Sequence, residues 1–213
     1  MYQPPHFHEE SRETLIDLMR AHPLAAIVVA GPDGYEVNHV PCLVDPDIGP
    51  HGRLRLHVAR PNPLRALAEA GLPVVAIFQG AETYITPSWY ETKRETGKVV
   101  PTWNYAVVHA HGRLSLHDDA SWLSDQIAAL TDTHEAARAH PWAVTDAPED
   151  FMRGQMKGIV GIEIAIERLE GKWKVSQNRP MADRHGVATG LEAEEGGGAM
   201  AALVRARARP GEA

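Results

Sequence analysis

Between Arg53 and Val58 the chain alternates strictly, with Leu54, Leu56 and Val58 set against Arg53, Arg55 and His57. A period of two belongs to an extended strand, because successive side chains point to opposite faces of a sheet. Ile162, Ile164 and Ile166 repeat the pattern against Glu163 and Glu167 within Ile159 to Arg168. A chain with two such segments builds a sheet with one buried face, and the rest of the sequence has to cover that face.

The other segments extend the sheet. LAAIVVA and EVNHVPCLV flank the turn residues Gly31-Pro32-Asp33-Gly34 and read as a hairpin. PVVAIFQ and AETYI are two strands expected on either side of Gly80, TWNYAVVHAHGRLSLH is another, and Gly171 is expected to turn the last strand back into KWKVSQ. Ser11 is placed to cap a helix carrying Leu15, Ile16, Leu18 and Met19, which Pro23 ends; Asn62 and Pro63 open a short helix with Leu64, Leu67 and Ala68, which Gly71 stops. Further helices are expected from about Trp89 to Arg94, from Ser121 through Leu123, Ile127 and Leu130, and after the proline-punctuated stretch His140 to Pro148. The sum is roughly six to eight strands with short, largely antiparallel connections. This is a mainly β fold with peripheral α-helices, a small barrel rather than a doubly wound parallel sheet.

Composition narrows the functional classes. With 213 residues, 44% hydrophobic and 23% charged, the chain can build one substantial core. The apolar runs Leu24 to Ala30 and Val74 to Phe78 fall far short of the roughly 20 residues that cross a bilayer. MYQPPHFHEE has neither the basic nor the apolar region of a secretory signal, so a cytoplasmic protein with no membrane segment is expected. The single cysteine, Cys42, excludes an intrachain disulfide, argues against a cysteine-based zinc site and reads as a small buried hydrophobe. A net charge of −7 opposes attraction to phosphate backbones, and direct DNA binding is not expected. Arg205, Arg207 and Arg209, alternating with alanine, read as a solvated end. His6 with His8 and His109 with His111 would share faces in extended segments, where they could hold a metal or haem. Neither pair has a carboxylate or thiolate at fixed spacing, so they read as structural and no metal site is assigned. GxGxxG, GxxxxGK[ST], GxSxG and HExxH are all absent.

Three stretches carry chemistry. YITPSWYETKRETGKVVPTWNY concentrates Tyr84, Trp89, Tyr90, Trp103 and Tyr105 in a chain with 6% aromatics, interleaved with Thr86, Ser88, Lys93, Thr102 and Asn104. Buried polar groups need partners, and a flat polar-rimmed ligand would supply them. KWKVSQNRP adds Lys174, Gln177, Asn178 and Arg179 as donors. HVARPNP, His57 to Pro63, joins a strand to a capped helix and sets Arg60 beside free N–H groups, either as a phosphate cradle or as a surface arginine next to a capping Asn62.

MYQPPHF, HVARPNP, YITPSWY, VPTWNY and KWKVSQNRP, in this order, resemble the PaiB family of FMN-binding negative transcriptional regulators. The resemblance covers Met1 to about Leu191. It implies an antiparallel split β-barrel of the FMN-binding type with helical insertions over residues 1–191, and leaves 192–213 as a glycine- and arginine-containing helix or flexible tail. It implies a homodimer with flavin at the subunit interface. By the same resemblance His57, Arg60 and Asn62 are expected at the phosphate and ribityl chain, and Trp89, Thr102, Trp103 and Asn104 beside the ring. Lys93 belongs to the same cofactor-binding set, with Gln177, Asn178 and Arg179 completing it across the dimer. The function implied is regulation of transcription through flavin or redox sensing or through a partner. The alternatives are an FMN-dependent oxidoreductase acting on a small molecule and a haem-binding split barrel. No general acid or base and no helix-turn-helix is legible.

Overall fold

The computed structural model describes residues 1–207. In chain order these form β1 (His8–Glu9), α1 (Arg12–Ala21), β2 (Leu24–Gly31), β3 (Gly34–Pro41), β4 (Leu43–Asp45), β5 (Arg53–Ala59), α2 (Leu64–Glu69), β6 (Pro73–Ile85), α3 (Glu91–Thr96), β7 (Thr102–His117), α4 (Ala120–Glu135), α5 (Glu149–Met156), β8 (Ile159–Lys174), α6 (Met181–Glu192) and α7 (Gly198–Ala206). Single 3-10 turns lie at Pro5–Phe7, Pro87–Trp89 and Val144–Asp146. The chain divides into two compact units. The larger comprises Met19–Phe78 and His109–Leu169; the smaller comprises Met1–Leu18, Gln79–Val108 and the described residues from Glu170 on. No helix among the described residues is long and apolar enough to cross a membrane.

In the larger unit the sheet runs β3-β2-β6-β7-β8-β5-β4. The expected hairpin forms, with β2 and β3 antiparallel from Leu24↔Pro41 to Gly31↔Gly34. The two segments of strict alternation are neighbours: β5 pairs with β8 antiparallel, Arg53↔Ala165 through Ala59↔Ile159. Their apolar sets, Leu54, Leu56, Val58, Ile162, Ile164 and Ile166, are all buried. The polar set of β5 is used as well. Asp45 on β4 accepts from Arg53 Nε at 2.8 Å and Arg55 Nε at 2.7 Å, and Arg53 also reaches Glu163 at 2.8 Å. Burial opposes ionisation of Asp45, but the Arg55 and Arg53 guanidiniums hold its carboxyl below the usual range. The α4 helix starts on Asp119, whose carboxylate accepts from Trp122 N at 2.8 Å.

In the smaller unit β1 pairs with β8 at His8↔Lys172 and Glu9↔Gly171. Two expectations need correction. β6 passes through Gly80 unbroken, and β8 runs through Gly171 to Lys174 instead of turning back. At Gly171 the reason is close approach: the Leu15 side chain occupies the space a Cβ would need. The arginine end is not simply solvated. The α7 helix buries Met200, Ala201 and Val204, Arg205 pairs with Glu192 at 2.8 Å, and Arg207 pairs with Glu9 beside the Trp173 ring. Arg209 lies outside the described residues.

Candidate functional site

Alternation along the first half of β7 sorts its side chains. Asn104, Ala106 and Val108 are buried, while Trp103, Tyr105 and Val107 face the other way and line a groove of about 300 Å³ with Gln79 and Glu82. Trp103 is 53% exposed and Tyr84 46%, with their rings edge to face at 6.1 Å. Large aromatics left open on a sheet face mark a binding surface more often than chance exposure does.

Cations border this surface. Lys172 and Lys174 are two residues apart on β8 and therefore project to the same side. Lys174 Nζ donates to Thr102 Oγ1 at 2.6 Å and to the Trp103 carbonyl. Lys172 Nζ lies 5.3 Å from the Tyr105 ring centroid and 5.7 Å from that of Tyr2, and Arg179 lies 4.7 Å from that of Tyr90. None of the three is in an ion pair among the described residues. Burial first, then the neighbouring charges of Lys172 and Arg179, hold the Lys174 ammonium below the ordinary lysine pKa. A half-buried ammonium crowded by two cations, and held only by a hydroxyl and a carbonyl, favours an anionic ligand.

The turn after β8 is built tightly. Ser176 has φ +66°, the one left-handed non-glycine among the described residues, and its Oγ accepts from Asn104 Nδ2 at 2.9 Å. Gln177 is consumed locally, its Oε1 accepting from Val175 N at 2.8 Å and its Nε2 donating to the Trp173 carbonyl. Asn178 is exposed. Lys93 Nζ donates to Ser88 Oγ at 3.3 Å. Trp89 lies against α6, with its carbonyl beside Gly186 and its indole beside Gly190, and Asp183 of the same helix accepts from Thr92 N at 2.9 Å. Of the expected residues, Thr102, Trp103, Asn104 and Arg179 thus lie among these interactions, while Trp89 and Gln177 serve to hold the local chain.

The second expected group lies in the larger unit. Arg60 is clamped by Asp118, with both guanidinium ends at 2.7 Å, and donates further to the Lys157 and Ile159 carbonyls. Asn62 caps α2 by accepting from Leu64 N at 2.8 Å, and its amide donates to Asn38 Oδ1 at 2.8 Å. His57 keeps a buried Nδ1 with no hydrogen-bond partner, and burial lowers its pKa. Most donors of this segment are therefore already committed within the protein. Sequence reading missed Lys172, Ser176, Asp118 and Asp183. For Lys172 the signal was present, since lysines spaced by two on a strand share a face.

Residues 1–168 match the family model described as "Putative FMN-binding domain". An uncharacterized protein of Emericella nidulans is 34% identical, covering 94% of this chain and 95% of its own length. The protease synthase and sporulation protein PAI 2 of Bacillus subtilis is 28% identical, covering 92% and 91%. Among solved structures, the FAD and haem binding protein from Mycobacterium smegmatis superposes with a TM-score of 0.57 at 20% identity, covering 78% of this chain and 73% of that one. The flavocytochrome Anf3 from Azotobacter vinelandii gives 0.57 at 14% identity, covering 78% and 69%. These two share the fold, an antiparallel split β-barrel with peripheral helices. The residues present fit FMN, since three cations without carboxylate partners suit its phosphate and the open Trp103 face, with Tyr84 beside it, suits a flat ring. With most of its length inside the family model, the chain belongs to the PaiB-like FMN-binding family, and FMN is its cofactor.

Proposed function

We propose that the protein is a homodimeric, flavin-linked regulator that takes FMN on the Trp103–Tyr105 face of its smaller unit, with the phosphate at Lys174. The observation that carries this reading is the crowding of Lys174 by Lys172 and Arg179 with no carboxylate to balance them. Bound FMN supplies reversible one- and two-electron redox chemistry. The chain's own part is to bind and orient: Thr102 and the Trp103 carbonyl aim the Lys174 ammonium, and Asn104 with Ser176 fixes the strand end that carries them. Phosphate at Arg60 is the weaker placement, because the anion would have to displace Asp118. Regulation of transcription is the role implied by the resemblance of the sequence motifs to the PaiB family, and the net charge of −7 favours action through a partner over direct contact with DNA.

Titration of flavin fluorescence tests the placement. Lys174→Gln should weaken FMN by about tenfold to a hundredfold, the worth of a charge-assisted phosphate contact of about 1.5–3 kcal/mol. Riboflavin, which lacks the phosphate, should change little, and Arg60→Ala should leave both flavins unaffected. An FMN-specific loss at Arg60→Ala with none at Lys174→Gln would return the phosphate to the 57–62 segment. Equal losses of FMN and riboflavin at Lys174→Gln would put that ammonium beside the ring.

A further inference from the structure

We propose that Glu82 selects the ring of the cofactor, its carboxylate accepting from the imide N–H of FMN while the Gln79 amide donates to a carbonyl beside it. This role rests on the placement of FMN on the Trp103 face and adds the orientation of the ring. Both side chains come from β6, and both line the groove of about 300 Å³ with Trp103, Tyr105 and Val107. Three positions apart, they would point to opposite faces of a regular strand. The burial along β6 shows why they do not: it alternates through Val74, Ala76 and Phe78, then changes phase before Ile85. One extra residue in a strand has that effect and re-aims the side chains next to it, and Gly80 and Ala81 stand between the two phases. Glu82 and Tyr84 then share a face, and Tyr84 meets Trp103 edge to face at 6.1 Å.

Charge is divided across the aromatic strip. In the sheet β7 lies between β6 and β8. On the β8 side stand Lys172 and Lys174, with no ion pair among the described residues. On the β6 side stands Glu82, exposed and making no hydrogen bond or ion pair among those residues, and the exposed Gln79 amide makes no hydrogen bond among them either. A purely anionic ligand is repelled at the β6 margin and a purely cationic one at the β8 margin. A flat ligand with an anionic arm and an N–H on another edge satisfies both. In the oxidised flavin ring the imide N–H is the only N–H, and it sits between two carbonyls. A carboxylate with an amide beside it answers that donor and acceptor pattern.

Fluorescence titration of the full chain with FMN and with N3-methyl-FMN, in which a methyl group replaces the imide proton, tests this. The parent should prefer FMN by about tenfold or more, because a site built to accept from a donor rejects the analogue that lacks it. Glu82→Ala should lose FMN and riboflavin alike by about tenfold and should no longer distinguish FMN from N3-methyl-FMN. Glu82→Gln, which keeps the shape and a neutral acceptor, should fall between. Equal binding of the two flavins by the parent, or a preference that survives in Glu82→Ala, would overturn the proposal. Lys174→Gln separates the two placements. An FMN-specific loss at Lys174→Gln with no preference traced to Glu82 keeps the phosphate and removes only the ring edge. A preference that depends on Glu82, with Lys174→Gln indifferent, keeps the ring edge and removes only the phosphate. A parent that binds no FMN would overturn both.

Discussion

His57 shows how a single buried side chain couples the fold to pH. Its Nδ1 is buried without a partner, and burial pushes its pKa below the ordinary 6.5. In the unfolded chain the ring takes up its proton near 6.5, whereas in the fold it resists until a lower pH. Across that interval the unfolded state binds more protons, so stability falls as pH drops below about 6.5. Urea melts from about pH 7 down to about pH 5 should therefore show a smaller loss in His57→Gln than in the parent. An unchanged acid limb would assign the sensitivity to other groups. Lys174 has the same direction of shift but a different readout, because an anion bound beside it would draw its pKa back up. What could be read of these residues from sequence was their type and their strand. The alternation around His57 placed it on the polar face of β5, but the helix that covers part of that face is 60 and more positions away. Arg60 shows the same limit, since its partner Asp118 is 58 residues distant.

At the scale of elements, two helical glycines that look alike in sequence should respond to alanine with opposite signs. In α5, Gly154 has nothing within 4 Å of where a Cβ would stand. In α6, a Cβ at Gly186 would collide with the Trp89 carbonyl. Gly154→Ala should stabilise by up to about 1 kcal/mol through helix propensity and lost unfolded-state freedom. Gly186→Ala should destabilise by about 1–3 kcal/mol through overpacking against a backbone atom that cannot rotate away. For a chain of this size that is a fall in melting temperature of roughly 2–4 °C per kcal/mol, readable by circular dichroism. If both alanines stabilised, Trp89 would not be seated on α6. The strands were legible because their alternation is itself the physical cause of burial on one face. The continuity of β6 and β8 through Gly80 and Gly171 was not, because a glycine punctuates a pattern equally whether the chain turns there or a neighbour comes close. The α6 helix was hidden for a related reason, since Gly186 and Gly190 dilute its helical stripe, whereas α7 falls in the stretch expected to be either a helix or a flexible tail.

For the molecule as a whole, the question is what covers the open aromatic surface of the smaller unit. Tyr84, Trp103 and the 83% exposed Tyr2 are too large and too apolar for this face to be an ordinary solvated surface. The proposed cover is a second copy of the chain, the homodimer with flavin between subunits that the resemblance to the PaiB family implies. A face that presents both cations and aromatics is self-complementary through the same stacking that already holds Lys172 over Tyr105. Light scattering at micromolar concentration should therefore give twice the 23.3 kDa of one chain. Tyr84→Arg places a charge on this surface without touching the proposed phosphate contact. It should shift the mass toward that of one chain and weaken FMN together with riboflavin, because a site completed by two subunits loses one wall for both flavins. A parent protein that scatters as a single chain would remove the dimer from the proposed function. A monomeric Tyr84→Arg that binds FMN as tightly as the parent would place the whole flavin site within one subunit.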